Sequence, residues 1–229
     1  MTTGRTLGLL ALVAVLALAP AAAHGHPMDE RNAGFVQSID GFAPAPFVYL
    51  GAKHMATGLD HILFLIGVVF FLYRPRDVVL YVSLFTLGHS LTLLAGVLGG
   101  LEVDSHLIDA VIGLSVVYKG FENIGGFERL GGGPDSRAAV AIFGLFHGLG
   151  LATRLQELAP AREGLVGNIL SFNLGVEVGQ ILALGAVLIL LAAWRRRPSF
   201  GRFSFATNTA LMTAGFLLAG SQILSYLLY

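Results

Sequence analysis

From Phe47 to the carboxyl end, long apolar runs alternate with short polar breaks, each run close to the roughly 20 residues a helix needs to cross a bilayer. The pattern predicts six helices, near Phe47–Tyr73, Val78–Gly99, Leu107–Ile124, Ala138–Thr153, Gly164–Trp194 and Phe205–Leu228. The fourth run is short, and its Gly144, Gly148 and Gly150 point to a broken or re-entrant helix there. Ahead of these runs, Arg5, an apolar stretch from Leu7 to Leu18, and Pro20 followed by Ala21-Ala22-Ala23 have the layout of a secretory signal peptide over residues 1–23. Residues 24–46 then read as an extracytoplasmic lead-in and 47–229 as a transmembrane domain. The expected fold is therefore an all-α membrane protein, a six-transmembrane helix bundle after a cleaved signal peptide. The Gly131-Gly132-Gly133-Pro134 turn divides the helices three and three, but the halves show no shared sequence pattern that would establish an inverted repeat.

Composition agrees with a membrane class. Hydrophobic residues make up 55% of the chain and charged residues 12%, with a mean hydropathy of +0.76, well below the charge of a soluble domain. A net charge of zero gives no basic surface for nucleic acid, so the expected partner is the lipid bilayer. Arginines set the orientation. Arg74, Arg76, Arg129, Arg137, Arg195, Arg196, Arg197 and Arg202 fall in the loops of one side, against Arg154 and Arg162 on the other. By the positive-inside rule, this places the mature amino terminus outside a bacterial-type inner membrane.

Against this apolar background the ionisable residues stand out. Asp60, His61, His89, His147 and Glu177 lie inside the predicted spans. A charged group at mid-membrane costs roughly 2.5–3.5 kcal/mol on insertion scales, so several together need a ligand or one another. At about 1.5 Å per residue, all five fall near the middle of the bilayer. With no cysteine in the chain, ligands are limited to imidazole, carboxylate, amide, hydroxyl and thioether. This set suits a divalent transition metal such as Ni, Co or Zn. His54 precedes His61 by about two helical turns, so on an unbroken helix the two share a stripe but stand about 10 Å apart. That spacing predicts two stations along a path. Asn173 is a candidate supporting donor, and Glu122, three residues after Lys119, is a candidate for inward release or for a simple ion pair. Cleavage after Ala23 would expose His24-Gly25-His26, whose amine, amides and imidazole make a square-planar nitrogen set suited to Cu(II) or Ni(II).

Five segments in order resemble the HupE/UreJ family, in its second branch: Gly51 to His54 continuing to Asp60-His61-Ile62-Leu63-Phe64, Phe85-Thr86-Leu87-Gly88-His89-Ser90-Leu91-Thr92, Ser115 to Asn123, Phe143-Gly144-Leu145-Phe146-His147-Gly148-Leu149-Gly150, and Phe172-Asn173-Leu174-Gly175-Val176-Glu177-Val178-Gly179-Gln180. Where the hydrogenase-linked branch often has proline after the first histidine, this chain has Met55. The resemblance implies a nickel or cobalt permease with metal-site residues at His54, Asp60, His61, His89, His147 and Glu177. The expectation is secondary metal uptake, with occupancy falling as protons compete for the ligands. The rival from a different class is an intramembrane zinc-dependent hydrolase built on the same histidines, with Glu177, Asp60 or Ser90 as base or orienting group.

Overall fold

A computed structural model describes Val36 and residues 39–101, 103–157 and 163–228. The expected signal peptide, His24, His26 and Arg162 lie outside the described residues. Among those described, all regular structure is helical: α1 (Pro44–Thr57), α2 (Leu59–Val69), α3 (Pro75–Gly99), α4 (Ser105–Asn123), the single turn α5 (Gly126–Arg129), α6 (Ser136–Glu157), α7 (Leu165–Arg195) and α8 (Ser199–Leu228). Four of them, α3, α6, α7 and α8, are long and apolar enough to cross a membrane, and α1 with α2 passes the same test as one span bent by 62°. Leu87, Leu91, Ile181, Leu182, Ile189 and Leu190 are 64–72% exposed. Water would not tolerate so large an apolar surface, whereas lipid requires it. The protein is a multi-pass membrane protein.

Local chemistry sets the helix ends. Pro44 and Pro75 begin α1 and α3, where a missing N–H costs nothing. Asp104 caps α4 by accepting from the backbone N–H groups of His106 and Leu107 at 2.9 and 3.1 Å. Gly100, at φ 61°, closes α3 in the left-handed conformation. Arg195 donates to the carbonyls of Val69, Phe70 and Leu72, which satisfies the open end of α2.

Two expectations are corrected here. The fourth run is a continuous helix of 22 residues; its glycines serve packing, since a Cβ on Gly144 would strike the Phe85 carbonyl and one on Gly148 the His89 carbonyl. The break falls in the first run instead, at Gly58, whose extended backbone (φ −67°, ψ 108°) ends α1 and starts α2. Arg154, expected in an outer loop, belongs to α6 and donates to Asp109 of α4 at 2.9 Å.

The helices associate mainly as three pairs: α1 with α7, α3 with α6, and α4 with α8, while α2 lies among α1, α4, α7 and α8. Glycines let the paired backbones approach, which is how helices gain contact energy where lipid is as apolar as leucine. The contacts repeat. A Cβ on Gly51 would meet the Phe172 carbonyl, as one on Gly144 meets Phe85; Gly175 faces the Val48 carbonyl as Gly88 faces that of Ala141. Gly179 faces the Ala52 carbonyl, and in the matching place Thr92 donates to the Leu145 carbonyl at 2.7 Å. These contacts make α1 parallel to α7 and α3 parallel to α6. Gly113 against Ala219 and Gly215 against Val117 make α4 antiparallel to α8. One exchange accounts for all of them: α1 with α6, α3 with α7 and α4 with α8. Because α4 and α8 exchange while antiparallel, the two-fold axis is perpendicular to them, so the halves form an inverted repeat. In that register Gly51-Ala52-Lys53-His54 matches Gly144-Leu145-Phe146-His147, and Phe85-Thr86-Leu87-Gly88 matches Phe172-Asn173-Leu174-Gly175.

Candidate metal centre

The repeat brings two equivalent histidines together, His54 from α1 and His147 from α6. Each packs near an equivalent phenylalanine, with ring centroids 6.1 Å apart for His54 and Phe172 and 5.0 Å for His147 and Phe85. Between them stands His61, at 4.7 Å from the His54 ring and 5.1 Å from that of His147. The break at Gly58 makes this arrangement possible. A straight helix would hold His54 and His61 about 10 Å apart, but the 62° bend folds α2 back so that their rings touch. The expected separation of about 10 Å is thereby replaced by contact between the two rings. His89 of α3 completes the group, its ring centroid 6.3 Å from that of His61.

One nitrogen from each of His54, His61 and His89 lies within 4.8 Å of the other two. All four histidines are buried, none more than 2% exposed. Phe64 and Phe85 pack on the cluster, with the Phe64 and His147 rings 5.2 Å apart. Such aromatic walls exclude water and strengthen any electrostatic contact inside.

Hydrogen bonding settles which nitrogens are available. His61 Nδ1 meets Asp60 Oδ1 at 3.0 Å, and His147 Nδ1 meets the Phe143 carbonyl at 2.8 Å. Both partners are acceptors, so in the neutral rings each Nδ1 carries the proton and each Nε2 keeps its lone pair. Those two Nε2 atoms, and both nitrogens of His89, are buried without a hydrogen-bond partner. Buried imidazole nitrogens are costly to leave so, and a cation is what a lone pair there can satisfy. A carboxylate or carbonyl holding the far nitrogen is the usual arrangement behind a metal-binding histidine.

The remaining expected site residues lie elsewhere. Asp60 is partly buried, with its carboxylate on His61. Glu177 is on the exposed side of α7, in a groove with Thr86 and Gln180; its neighbour Val176, 1% exposed, takes the inward position. Asn173 lines a second groove between α3 and α7 with Ser90. Glu122 is ion-paired with Lys119, and both bond Ser136, 3.1 Å from each. Three contributors have little sequence signal: the Phe143 carbonyl, Arg195 as the cap of α2, and Asn208. Fully buried Asn208 accepts from Asn123, which also donates to the Gly67 carbonyl of α2, at 2.8 Å in each case. An asparagine within an apolar run was the available clue to the last.

Comparison with known proteins fits this geometry. The sequence model of the HupE / UreJ protein family, in its second branch, matches residues 30–229. The chain belongs to that family. No curated protein and no solved structure matches it.

Proposed function

From membership of the HupE/UreJ family and from the imidazole cluster, we propose that the protein is a permease for a divalent transition metal of the nickel or cobalt type. The ion is held by His54, His61, His89 and His147. Asp60 anchors His61 and supplies one negative charge beside it. Four neutral imidazoles favour borderline metals and give little to Mg or Ca, which prefer oxygen. The observation that carries the reading is the paired anchoring of His61 and His147 through Nδ1, which leaves two Nε2 lone pairs in a buried, aromatic cluster.

The path follows the repeat. We take α4 as the sixth crossing, because its 19 residues reach about 28 Å and its charges are paired. The arginine asymmetry then puts the amino terminus outside the inner membrane, with His24 and His26 as outer gathering ligands and release toward the side of Glu122. Inverted repeats that meet at a central site are the architecture of alternating access in many transporters. The hydrolase alternative needs a carboxylate base beside the metal; Glu177 lies outside the cluster and the Asp60 carboxylate is engaged on His61 Nδ1, on the far side of the ring from the free Nε2.

The decisive experiment is uptake of radioactive nickel, cobalt and zinc into proteoliposomes holding the full chain. The parent should accumulate at least one ion, and His61→Ala or His89→Ala should abolish that uptake. A parent that binds an ion tightly but moves none of the three sinks the proposal.

A further inference from the structure

Six of the chain's 14 basic residues fall in two short stretches: Arg74 and Arg76 between α2 and α3, and Arg195, Arg196, Arg197 and Arg202 around the turn from α7 to α8. The fold sets the stretches side by side. Arg195 donates to the Leu72 carbonyl at 3.0 Å, and its guanidinium lies 4.6 Å from the centre of the Tyr73 ring. Phe70 stacks on Phe200 at 5.3 Å and meets Trp194 at 6.0 Å. The two connections therefore form one corner with aromatic rings packed between them. Arg195 is spent on backbone carbonyls. Arg74, Arg76, Arg196, Arg197 and Arg202 are all exposed and take no part in the ion pairs among the described residues.

Orientation in the membrane does not account for this crowding. The positive-inside rule counts charge over a whole face and is met however the arginines are spread. Here they are gathered. Because α3 and α6 are parallel, the segment leading into α6 lies at the same face as the one leading into α3, and it sets Arg129 and Arg137 against Glu128 and Asp135. At the corner the one acid is Asp77, in the first turn of α3, where the helix dipole favours it. Like charges held together without acids repel one another, and an anion between them removes that cost.

The surroundings select the anion. Tyr73, Val79, Ile189 and Leu190 are 64–72% exposed, within roughly 9 Å of the arginines along their helices. They lie where acyl chains begin once a headgroup phosphate reaches the guanidinium groups. A soluble phosphate would leave that apolar ground unused. We propose that the corner is a docking site for an anionic phospholipid, its phosphate held between Arg74 and Arg76 of one connection and Arg196 and Arg197 of the other, its chains on the apolar faces of α3 and α7. Guanidinium forks match phosphate oxygens, and basic pockets between spans are known places for acidic headgroups. The lipid ties together from outside the two connections that Arg195 joins from within, which steadies the end of the bent span. The site requires only that the chain cross a bilayer and is independent of the metal reading.

Native mass spectrometry of the full-length protein released from detergent tests this, with phosphatidylglycerol and phosphatidylcholine added at equal concentration. The parent should retain phosphatidylglycerol several-fold more often, and that lipid should raise the thermal midpoint where phosphatidylcholine does not. Arg74→Gln with Arg76→Gln, and separately Arg196→Gln with Arg197→Gln, should each cut the preference several-fold, because the phosphate is shared. Arg129→Gln with Arg137→Gln, at the balanced segment, should keep it. Equal retention of the two lipids by the parent overturns the proposal without any variant having to fold. So does displacement of phosphatidylglycerol by glycerol 3-phosphate, which marks a site for soluble phosphate, or an equal loss of preference on changing Arg129 and Arg137, which marks diffuse charge. No metal enters these measurements, so their failure and failure of the metal site are separately readable.

Discussion

Each imidazole of the cluster has two nitrogens, and for His61 and His147 the protein holds Nδ1 and leaves Nε2 turned to the cluster. Asp60 does this for His61 with a full negative charge, whereas Phe143 does it for His147 with a carbonyl dipole. The two anchors are therefore unequal. Asp60→Asn keeps an acceptor of the same shape but removes the charge, so it should weaken metal binding by about 10–100-fold while leaving the fold intact. Competitive metal titration of the purified protein checks this; equal affinity in parent and variant would show that Asp60 does not act through His61. Residue chemistry was largely legible in the sequence, because an ionisable side chain inside an apolar run is conspicuous and its depth follows from counting. Direction was not. Val176 and Glu177 differ by about 100° around α7, and which of them faces inward depends on the neighbours α7 acquires, a property absent from its own periodicity. Lys119 and Glu122 illustrate the converse, since a three-residue spacing left an ion pair or a release role open and the two side chains do pair.

At the scale of elements, glycine is the residue whose role the sequence leaves ambiguous. Gly58 and Gly144 both sit in apolar runs beside a histidine, yet one breaks a helix and the other packs against its neighbour. The φ and ψ of Gly58 are open to any residue, so its need is for space: a Cβ there would lie 2.8 Å from His61 Nδ1 and 3.0 Å from Asp60 Oδ1. Alanine would press on that pair and, with a helix propensity about 1 kcal/mol better than glycine, would favour straightening the span. Gly58→Ala should therefore lose metal binding with little loss of helix content or stability, as read by metal titration beside circular dichroism. Retained affinity would mean that the bend is held from outside, by Arg195 on the carbonyls at the end of α2 and by Asn123 on that of Gly67. The other helix positions were readable because hydropathy counts residues against bilayer thickness. A bend concentrated in one glycine leaves no such count.

Over the whole molecule, the inverted repeat explains why widely separated motifs meet at one point. A two-fold axis carries α1 onto α6, so any residue near it has its counterpart close by, as His54 has His147. His61 breaks the symmetry; its counterpart is Arg154, drawn away to Asp109 of α4. One half thus supplies the bent segment and the other a continuous helix. The repeat escaped notice in the sequence because it survives as two short matches, Gly51 to His54 with Gly144 to His147 and Phe85 to Gly88 with Phe172 to Gly175, in a chain with 30 glycines. Backbone contacts reveal it, since Gly51 and Gly144, and likewise Gly88 and Gly175, approach equivalent carbonyls. This equivalence has a measurable consequence. Gly51→Val and Gly144→Val drive a side chain into equivalent carbonyls, of Phe172 and Phe85, and overpacking of this kind costs about 1–3 kcal/mol. Both variants should lower the thermal midpoint of the detergent-solubilised protein by similar amounts, while Gly185→Val, with nothing within 4 Å of the added Cβ, should leave it unchanged. A chain that tolerates one of the first two substitutions and not the other would have halves that differ at their main contacts, and the two-fold relation would fail with it.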